Sequence, residues 1–322
     1  MKIDLAMSPV PRIAGALLAG LGGVGLAVQG RINGQLGHLL DDGVFAAVIS
    51  FGVGLVLLVP AVALLPASRR GVGRLVGAVR AGRLRWWECL GGTCGGFVVA
   101  AQGITVAVLG VAVFTVAVVS GNVVSSLFVD RAGLGPGGPQ AITPPRVAGA
   151  VLAVVAVLVA VSDRLVHPSG LWLAVLPALA GVGLAWQVAV NGLVRREAGE
   201  VLVPTVVNFA TGMLALLVAL TVDLVLRGLP AALPDQWWLY LGGPLGIVAV
   251  TTAVTTVRLI GVLVLGLASV AGQLVGAVVL DLVAPAPGGG LSPVAVLGAS
   301  ITMVAVGVAA AGGRTGGAKM RR

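Results

Sequence analysis

Carboxamide side chains are the groups in this sequence whose type and spacing could do chemistry. Gln29 and Asn33 stand four residues apart within a long apolar run, and Gln187 and Asn191 repeat the pattern Gln-x-x-x-Asn-Gly 158 positions later. Residues four apart share one face of a helix. A neutral amide donates and accepts hydrogen bonds without changing its charge. The pattern therefore predicts either polar groups lining a pathway for a bound molecule, or hydrogen bonds that hold membrane helices together.

Two further amides fall deeper in apolar runs. Asn122 and Gln273 are 151 positions apart, and each is expected about 17 Å along its helix, near the middle of a bilayer. A buried amide at that depth needs a partner from protein, water or substrate. We expect these two to contact a substrate. Gln102 has Ala253 as its repeat counterpart and could contribute to substrate choice, while Ser50 and Asn208 are weaker candidates.

Two carboxylates, Asp130 and Asp281, stand at the ends of apolar runs. An ionisable residue at membrane depth suggests a functional site, which here would be gating or ion coupling. Alternatively, each carboxylate is solvated at the membrane surface. For Asp130 the adjacent Arg131 is a plausible ion-pair partner.

Enzymatic chemistry is not expected. His38 and His167 lie far apart in loops, and Cys89 and Cys94 have no metal-ligand spacing, so neither a nucleophile with its base nor a metal cluster is apparent. We expect no cofactor. No phosphate-binding Walker motif is present, so ATP is not expected to drive the chain by itself, and coupling to H⁺ or Na⁺ stays open.

The composition predicts an all-α integral membrane protein. Hydrophobic residues make up 58% of the 322 residues, charged residues only 10%, and the mean hydropathy is +1.10. Runs near 20 residues match the length of a membrane-spanning helix. The net charge of +9 does not indicate nucleic-acid binding, because the basic residues lie in short loops between these runs. The ten predicted spans are 12–35, 44–66, 87–108, 111–130, 146–165, 171–193, 203–226, 237–257, 259–282 and 292–313.

The second half of the chain repeats the first in order. Phe51 and Gly54 match Phe209 and Gly212 at an offset of 158. From Trp86-Trp87, matched by Trp237-Trp238, the offset becomes 151. We therefore predict three regions: a five-helix repeat at 1–165, a second five-helix repeat at 166–313, and a basic cytoplasmic tail at 314–322.

The basic residues predict the orientation in the membrane. Six arginines follow the second span, which places that loop and both termini in the cytoplasm by the positive-inside rule. This topology puts 17 of the 20 Lys and Arg residues inside. Because each half has an odd number of spans, the two repeats would run in opposite directions, which is an architecture of secondary transporters. The six are Arg69, Arg70, Arg74, Arg80, Arg83 and Arg85.

These motifs resemble those of the YdcZ-like family of the drug/metabolite transporter superfamily. The shared pattern combines Gln29-x-x-x-Asn33, Ser50-Phe51-x-x-Gly54, Trp86-Trp87-x-x-x-x-Gly91-Gly92, Gly121-Asn122 and Asp130, and most of it recurs in the second half. Departures are Asn122, where the family would suggest Gln, and Arg31 between the paired amides. The resemblance implies a multi-pass transporter, most simply an exporter, of the bacterial cytoplasmic membrane.

The leading hypothesis is a secondary transporter that moves a small metabolite or drug by alternating access between its repeats. Its expected partners are that small molecule and membrane lipids but no nucleic acid, and it would act as a monomer or homodimer. The alternatives are a flippase for lipids or amphiphiles and a membrane assembly subunit that transports nothing. Substrate identity, direction and coupling ion do not follow from the sequence.

Overall fold

The computed structural model describes residues 9–135, 138–139, 141–160, 162, 173–227, 232–284 and 292–319. Ten α-helices make up nearly all of these residues, and a short 3₁₀ turn precedes α4 and α9, at Trp86–Gly91 and Trp237–Tyr240. The helices are α1 (Pro9–Leu40), α2 (Gly43–Leu64), α3 (Pro66–Arg80), α4 (Gly92–Leu109), α5 (Val111–Arg131), α6 (Pro144–Ala160), α7 (Val175–Ala198), α8 (Leu202–Arg227), α9 (Gly242–Val283) and α10 (Pro293–Lys319).

Ten apolar helical segments coincide with the ten predicted spans. Within the described residues, six are long and apolar enough to cross a membrane: Ile13–Leu40, Gly43–Leu64, Trp86–Leu109, Val111–Arg131, Val175–Ala198 and Leu202–Val225. Four are shorter: Pro144–Ala160, Gly242–Thr252, Ala268–Val283 and Pro293–Ala309. The protein is thus an all-α integral membrane protein, as its composition predicts.

The basic stretch after α2 is a helix, where the sequence suggested a loop. Pro66 begins α3 at a position that needs no backbone donor. One face of α3 carries Leu75 and Ala78, which are buried against α7 and α8, while its arginines lie on other faces. Arg74 also donates to the carbonyl oxygen of Ala198 at the end of α7, with Nε 2.8 Å away. This amphipathic helix therefore packs onto one end of the bundle.

The predicted spans 237–257 and 259–282 form one continuous helix, α9, but that helix cannot be straight. A Cβ at Gly22 of α1 would lie 3.4 Å from Thr252, and one at the adjacent Gly23 would lie 2.9 Å from the carbonyl carbon of Ser269. A straight helix would separate Thr252 from Ser269 by about 25 Å. Two arms of α9 therefore run past α1 in opposite directions, as two separate spans would.

The two repeats interlock, because helices of one pack chiefly on helices of the other. Helix α1 packs along α9, α5 along α7, and α6 along α10. The same small-residue contacts recur at repeat offsets: a Cβ at Gly181 of α7 would lie 2.9 Å from the backbone N of Asn122 in α5, and one at Gly23 of α1 would lie 2.8 Å from that of Gln273. Such residues let membrane helices approach closely.

A pair of phenylalanines marks the pseudo-symmetry of the bundle. Phe51 of α2 and Phe209 of α8 are equivalent residues, and their ring centroids are 4.9 Å apart. Each ring also packs onto a glycine of the partner helix. The space that a Cβ would occupy at Gly54 is filled by Phe209, and the corresponding space at Gly212 is filled by Phe51. A pseudo-two-fold axis that relates the repeats therefore passes between these rings.

Candidate functional site

Gln29, Asn33, Ser50 and Gln102 come together as a first amide cluster at the junction of α1, α2 and α4. Asn33 is fully buried, and its Nδ2 donates to Oε1 of Gln102 at 2.7 Å. The four-residue spacing on α1 keeps Gln29 on the same face. Gln102, which has no amide counterpart in the second repeat, is thus a direct partner of Asn33.

The first amide cluster closes on glycines of the opposite repeat. A Cβ at Gly242 of α9 would lie 2.5 Å from Oγ of Ser50 and would overlap the Asn33 amide. One turn further, a Cβ at Gly246 would lie 2.9 Å from Nε2 of Gln29. The polar groups of α1 and α2 therefore meet bare α9 backbone, and any side chain at these glycines would displace them.

A second amide cluster is formed by Gln187, Asn191 and Asn208, where α7 meets α8. Oδ1 of Asn208 accepts two hydrogen bonds, from Nε2 of Gln187 and from Nδ2 of Asn191, each 3.0 Å long. Asn208 is the repeat equivalent of Ser50, at an offset of 158. The two clusters thus occupy equivalent places in the repeats. In the second cluster Asn208 accepts from both Gln187 and Asn191, whereas in the first cluster Gln102 accepts from Asn33.

The second amide cluster also closes on glycines of the opposite repeat. A Cβ at Gly91 would lie 2.9 Å from Oδ1 of Asn191, and one at Gly95 of α4 would lie 3.1 Å from Nε2 of Gln187. These glycines are the repeat equivalents of Gly242 and Gly246, at an offset of 151. Each repeat therefore supplies amides to one cluster and the glycine surface to the other.

Both clusters contain buried polar atoms that form no hydrogen bond within the described part of the chain. Within the described part of the chain, Oδ1 of Asn33, Oγ of Ser50 and Oε1 of Gln187 are buried and have no hydrogen-bond partner. A buried polar atom without a partner costs about 1–3 kcal/mol. These polar groups are therefore not fully hydrogen-bonded when the helices are packed together. A rearrangement that gives them partners would offset part of the free energy needed to separate the helices.

Asn122 and Gln273 lie in separate helix pairs, the first in α5 against α7 and the second in α9 against α1. Both are half-buried. They stand at equivalent positions, each beside a close backbone contact between the repeats. Their predicted contact with a substrate remains a prediction.

Asp281 is buried inside the protein. It is 4% exposed, and its carboxylate accepts hydrogen bonds from the backbone N–H groups of Val111 (3.0 Å) and Ala112 (2.7 Å). These begin α5 directly after Gly110, whose φ of 81° breaks the α4–α5 path. An acidic group at a helix N-terminus accepts hydrogen bonds from backbone N–H groups that have no partner within the helix, and its negative charge interacts favourably with the helix dipole. Asp281 of the second repeat therefore binds the first repeat at the break between α4 and α5.

Asp130, the repeat equivalent of Asp281, is placed differently. Its side chain is 42% exposed and forms an ion pair with Arg146 at the start of α6. The sequence suggested Arg131 instead, which is exposed. Neighbours in sequence on a helix point to different faces, whereas α6 returns to the same end of α5. The equivalent carboxylates therefore make different contacts in the two halves.

An acidic pair that the sequence did not bring together consists of Asp42, where α1 meets α2, and Asp223 of α8. Asp42 caps α2 by accepting from the backbone N of Phe45 at 2.8 Å, as Glu200 caps α8 through Val203 at 3.0 Å. The Asp223 carboxyl of α8 lies near that of Asp42. Burial raises the pKa of Asp42, and the Asp223 carboxyl raises it further, against the effect of the Phe45 hydrogen bond. The sequence could have identified Asp42 as a helix cap, because it stands 158 positions before Glu200, which is the repeat offset.

Comparison with known proteins gives one family. A family model with the description "Putative inner membrane exporter, YdcZ" matches the chain twice, over residues 14–159 and 172–309. Each match covers one of the two repeats, and together they cover most of the chain. No curated protein matches the chain.

Proposed function

The chain belongs to the YdcZ family of drug/metabolite transporters, as two family repeats in tandem, and from this premise we propose that it exports a small metabolite or drug by alternating access. The first and second amide clusters are the two gates of this proposal. The transport step is a movement of one five-helix repeat against the other, which exchanges the conformations of the two halves.

The observation that carries the proposal is the reciprocal packing of the clusters. Amides of one repeat seal against Gly242 and Gly246, and amides of the other seal against Gly91 and Gly95. Because the pairs lie at equivalent places in the two halves, a rocking motion can open one interface while the other stays shut. Bare glycine backbone lets the helices close tightly at the shut gate, since no side chain of the opposite repeat lies between them.

The buried atoms without partners support the same proposal. Separating a cluster admits water, which can bond Oδ1 of Asn33 or Oε1 of Gln187. This gain offsets part of the packing lost on opening. The amides stay neutral throughout, so they impose no charge requirement on the molecule that passes.

The export proposal is tested by comparing metabolites released by cells that express the wild-type chain or the double variant Asn122→Ala/Gln273→Ala. We expect at least one compound to accumulate in the medium with the wild-type chain and to fall to background with the double variant. The matched control is Thr221→Ala. Its hydroxyl is exposed and, within the described residues, bonds only carbonyls of its own helix, those of Leu217 and Val218. Equal export by wild type and double variant at matched membrane levels would contradict the role of these amides.

A further inference from the structure

A cavity of about 140 Å³ lies between α1 and the two arms of α9. The described residues that line it are all uncharged: Ala19, Gly22, Leu26, Ala249, Val250, Thr252 and Ser269. Leu26 is one turn of α1 away from Gln29, and Ala249 is one turn of α9 away from Gly246. The cavity therefore lies directly against the first amide cluster, on the side toward the middle of α1.

The equivalent place in the other half is packed shut. The counterparts of the lining residues are Pro177, Ala180, Leu184, Val98, Val99, Ala101 and Val118. Of these, Ala101, Val118 and Ala180 are fully or almost fully buried in the main hydrophobic core, and Val98 and Leu184 pack against it. The cavity is thus a difference between equivalent places of one fold, and not a general looseness of its packing.

The amino acids differ at the same places as the packing. Thr252 and Ser269 are the hydroxyl residues of the lining, and their repeat counterparts are the aliphatic Ala101 and Val118. Gly22 likewise corresponds to the larger Ala180. The half that is filled carries aliphatic side chains, and the half that is open carries two hydroxyls and a glycine. A few polar residues in a mainly apolar pocket are suited to orienting a ligand.

We propose that this cavity binds a neutral, mainly apolar small molecule, or the apolar part of a larger one, with a polar group oriented by Ser269 and Thr252. The volume suits a ring of about benzene size, since a 150 Å³ apolar cavity holds benzene. An ion would lose its hydration, and the described lining residues offer it no counter-charge. Val250 is exposed, so one edge of the cavity reaches the surface of the bundle. This inference rests on the proposed export function, for which it names the substrate class.

The test uses thermal unfolding of the purified full-length chain with phenol, benzene or benzoate at equal concentrations. A ligand that binds the folded state raises its stability. Phenol is expected to stabilise the wild-type chain most, benzene less, and benzoate not at all. If phenol gives no stabilisation of the wild type, or if benzoate stabilises as strongly as phenol, the proposal is overturned.

Gly22→Ala is the filling variant. The added methyl would meet Thr252 at an ordinary 3.4 Å, and the counterpart Ala180 shows that the fold accepts alanine there. We expect the Kd for phenol to rise about fivefold or more. Gly25→Ala on the same helix is the control, because none of the described residues lies within 4 Å of its Cβ position. Equal phenol binding by the two variants would overturn the assignment of the site.

The variant Thr252→Ala/Ser269→Val gives both positions the residues of the first repeat. It should lose the preference for phenol over benzene, and an unchanged preference would refute the role of the hydroxyls. These measurements use neither a gradient nor a membrane barrier. Phenol binding without any exported metabolite would therefore count against the export function and leave the cavity assignment standing, whereas export without phenol binding would do the reverse.

Discussion

Hydrogen-bond partners of single amides differ between the two clusters, and those differences set the residue-scale predictions. In the second cluster one oxygen, Oδ1 of Asn208, serves two donors from α7. In the first cluster Gln102 accepts from Asn33, and the hydroxyl of Ser50 has no partner within the described residues. The second cluster therefore depends on one side chain more strongly than the first does.

Asn208→Ala should destabilise the protein more than Ser50→Ala. The substitution leaves the amides of Gln187 and Asn191 without their acceptor, at a cost of about 1–3 kcal/mol in the free energy of unfolding. Denaturant unfolding in detergent measures the difference. Ser126→Ala is the control, because that hydroxyl bonds the carbonyl of Val123 within its own helix. Equal losses for Asn208→Ala and Ser50→Ala would contradict the bridging role.

Asp42→Asn should change how stability depends on pH. Burial raises the folded-state pKa of Asp42 above its usual 3.8. The wild type is therefore most stabilised by this group below pH 3.8, and loses that contribution as pH rises through the raised pKa. Asparagine can still accept from Phe45, but it does not ionise. The free energy of unfolding of Asp42→Asn should thus fall less than that of the wild type between about pH 4 and 7.

Asp42→Ala separates the two roles of that side chain. It removes the charge and also the cap of α2, so it should lower the free energy of unfolding by about 1 kcal/mol relative to Asp42→Asn at any pH. Parallel pH profiles for the wild type and Asp42→Asn would show that the Asp42 carboxyl does not titrate with a raised pKa.

At the scale of elements, one carboxylate holds the break between α4 and α5. Asp281→Asn replaces one of the two acceptors with a donor, opposite the backbone N–H groups of Val111 and Ala112. We expect a loss of about 1–3 kcal/mol in the free energy of unfolding. Asp130→Asn should cost about 0–1 kcal/mol, because its ion pair with Arg146 is partly exposed. Equal effects of the two substitutions would contradict the difference between the halves.

The contact between α2 and α8 requires glycine. Gly54→Ala should lower the free energy of unfolding by about 1–3 kcal/mol, since its methyl would overlap the ring of Phe209. Replacing that ring by the smaller leucine side chain, in Gly54→Ala/Phe209→Leu, should restore part of the lost free energy of unfolding. Gly52→Ala on the same helix is the control, because its methyl meets only the flexible end of Met213 at 3.3 Å. Double-mutant analysis measures the coupling. Additive effects would argue against the reciprocal packing.

At the scale of the whole molecule, the orientation of the bundle can be tested. The positive-inside rule places α3, with its arginines, in the cytoplasm. In a chain with Cys89 and Cys94 replaced by serine, Gly73→Cys should react with a membrane-impermeant thiol reagent only in inside-out vesicles. Gly73 is exposed, and no described residue lies within 4 Å of its Cβ position, so the added thiol is accessible.

Asp235→Cys, in the exposed connection before α9, should react only in right-side-out vesicles. Labelling of both cysteines from one side would contradict the odd number of spans between α3 and this connection. The pair thus tests the topology of the chain without any knowledge of its substrate.

Much of the fold follows from patterns along the chain. Apolar runs of membrane length predict where helices lie, because lipid leaves backbone groups no partner other than those within the helix. The recurrence of Gln-x-x-x-Asn-Gly, the paired tryptophans and the glycines predicts the tandem repeat, and the family matches confirm it. The sequence did not predict α3 as a helix, because its arginines looked like a loop, although Leu75 and Ala78 share a helical face.

Which polar residues meet was decided by tertiary structure. Helical spacing alone puts Gln187 near Asn191, but only the packing of α7 on α8 brings Asn208 between them. The partners of Asn33 and Asp281 lie 69 residues and about 170 residues away in the chain. Local propensity carries no information on such distant pairs.

The sequence by itself determined that this is a duplicated bundle of membrane helices, since hydropathy and repetition are properties of residues read in order. Only the tertiary structure decided that amides of each repeat pack on glycines of the other. It also decided that the cavity beside α1 is open in one half, while the equivalent position in the other half is filled. These features arise from helices separated widely in the chain. Close packing responds to volume changes as small as one methylene, so equivalent places in the two repeats can be filled in one and open in the other.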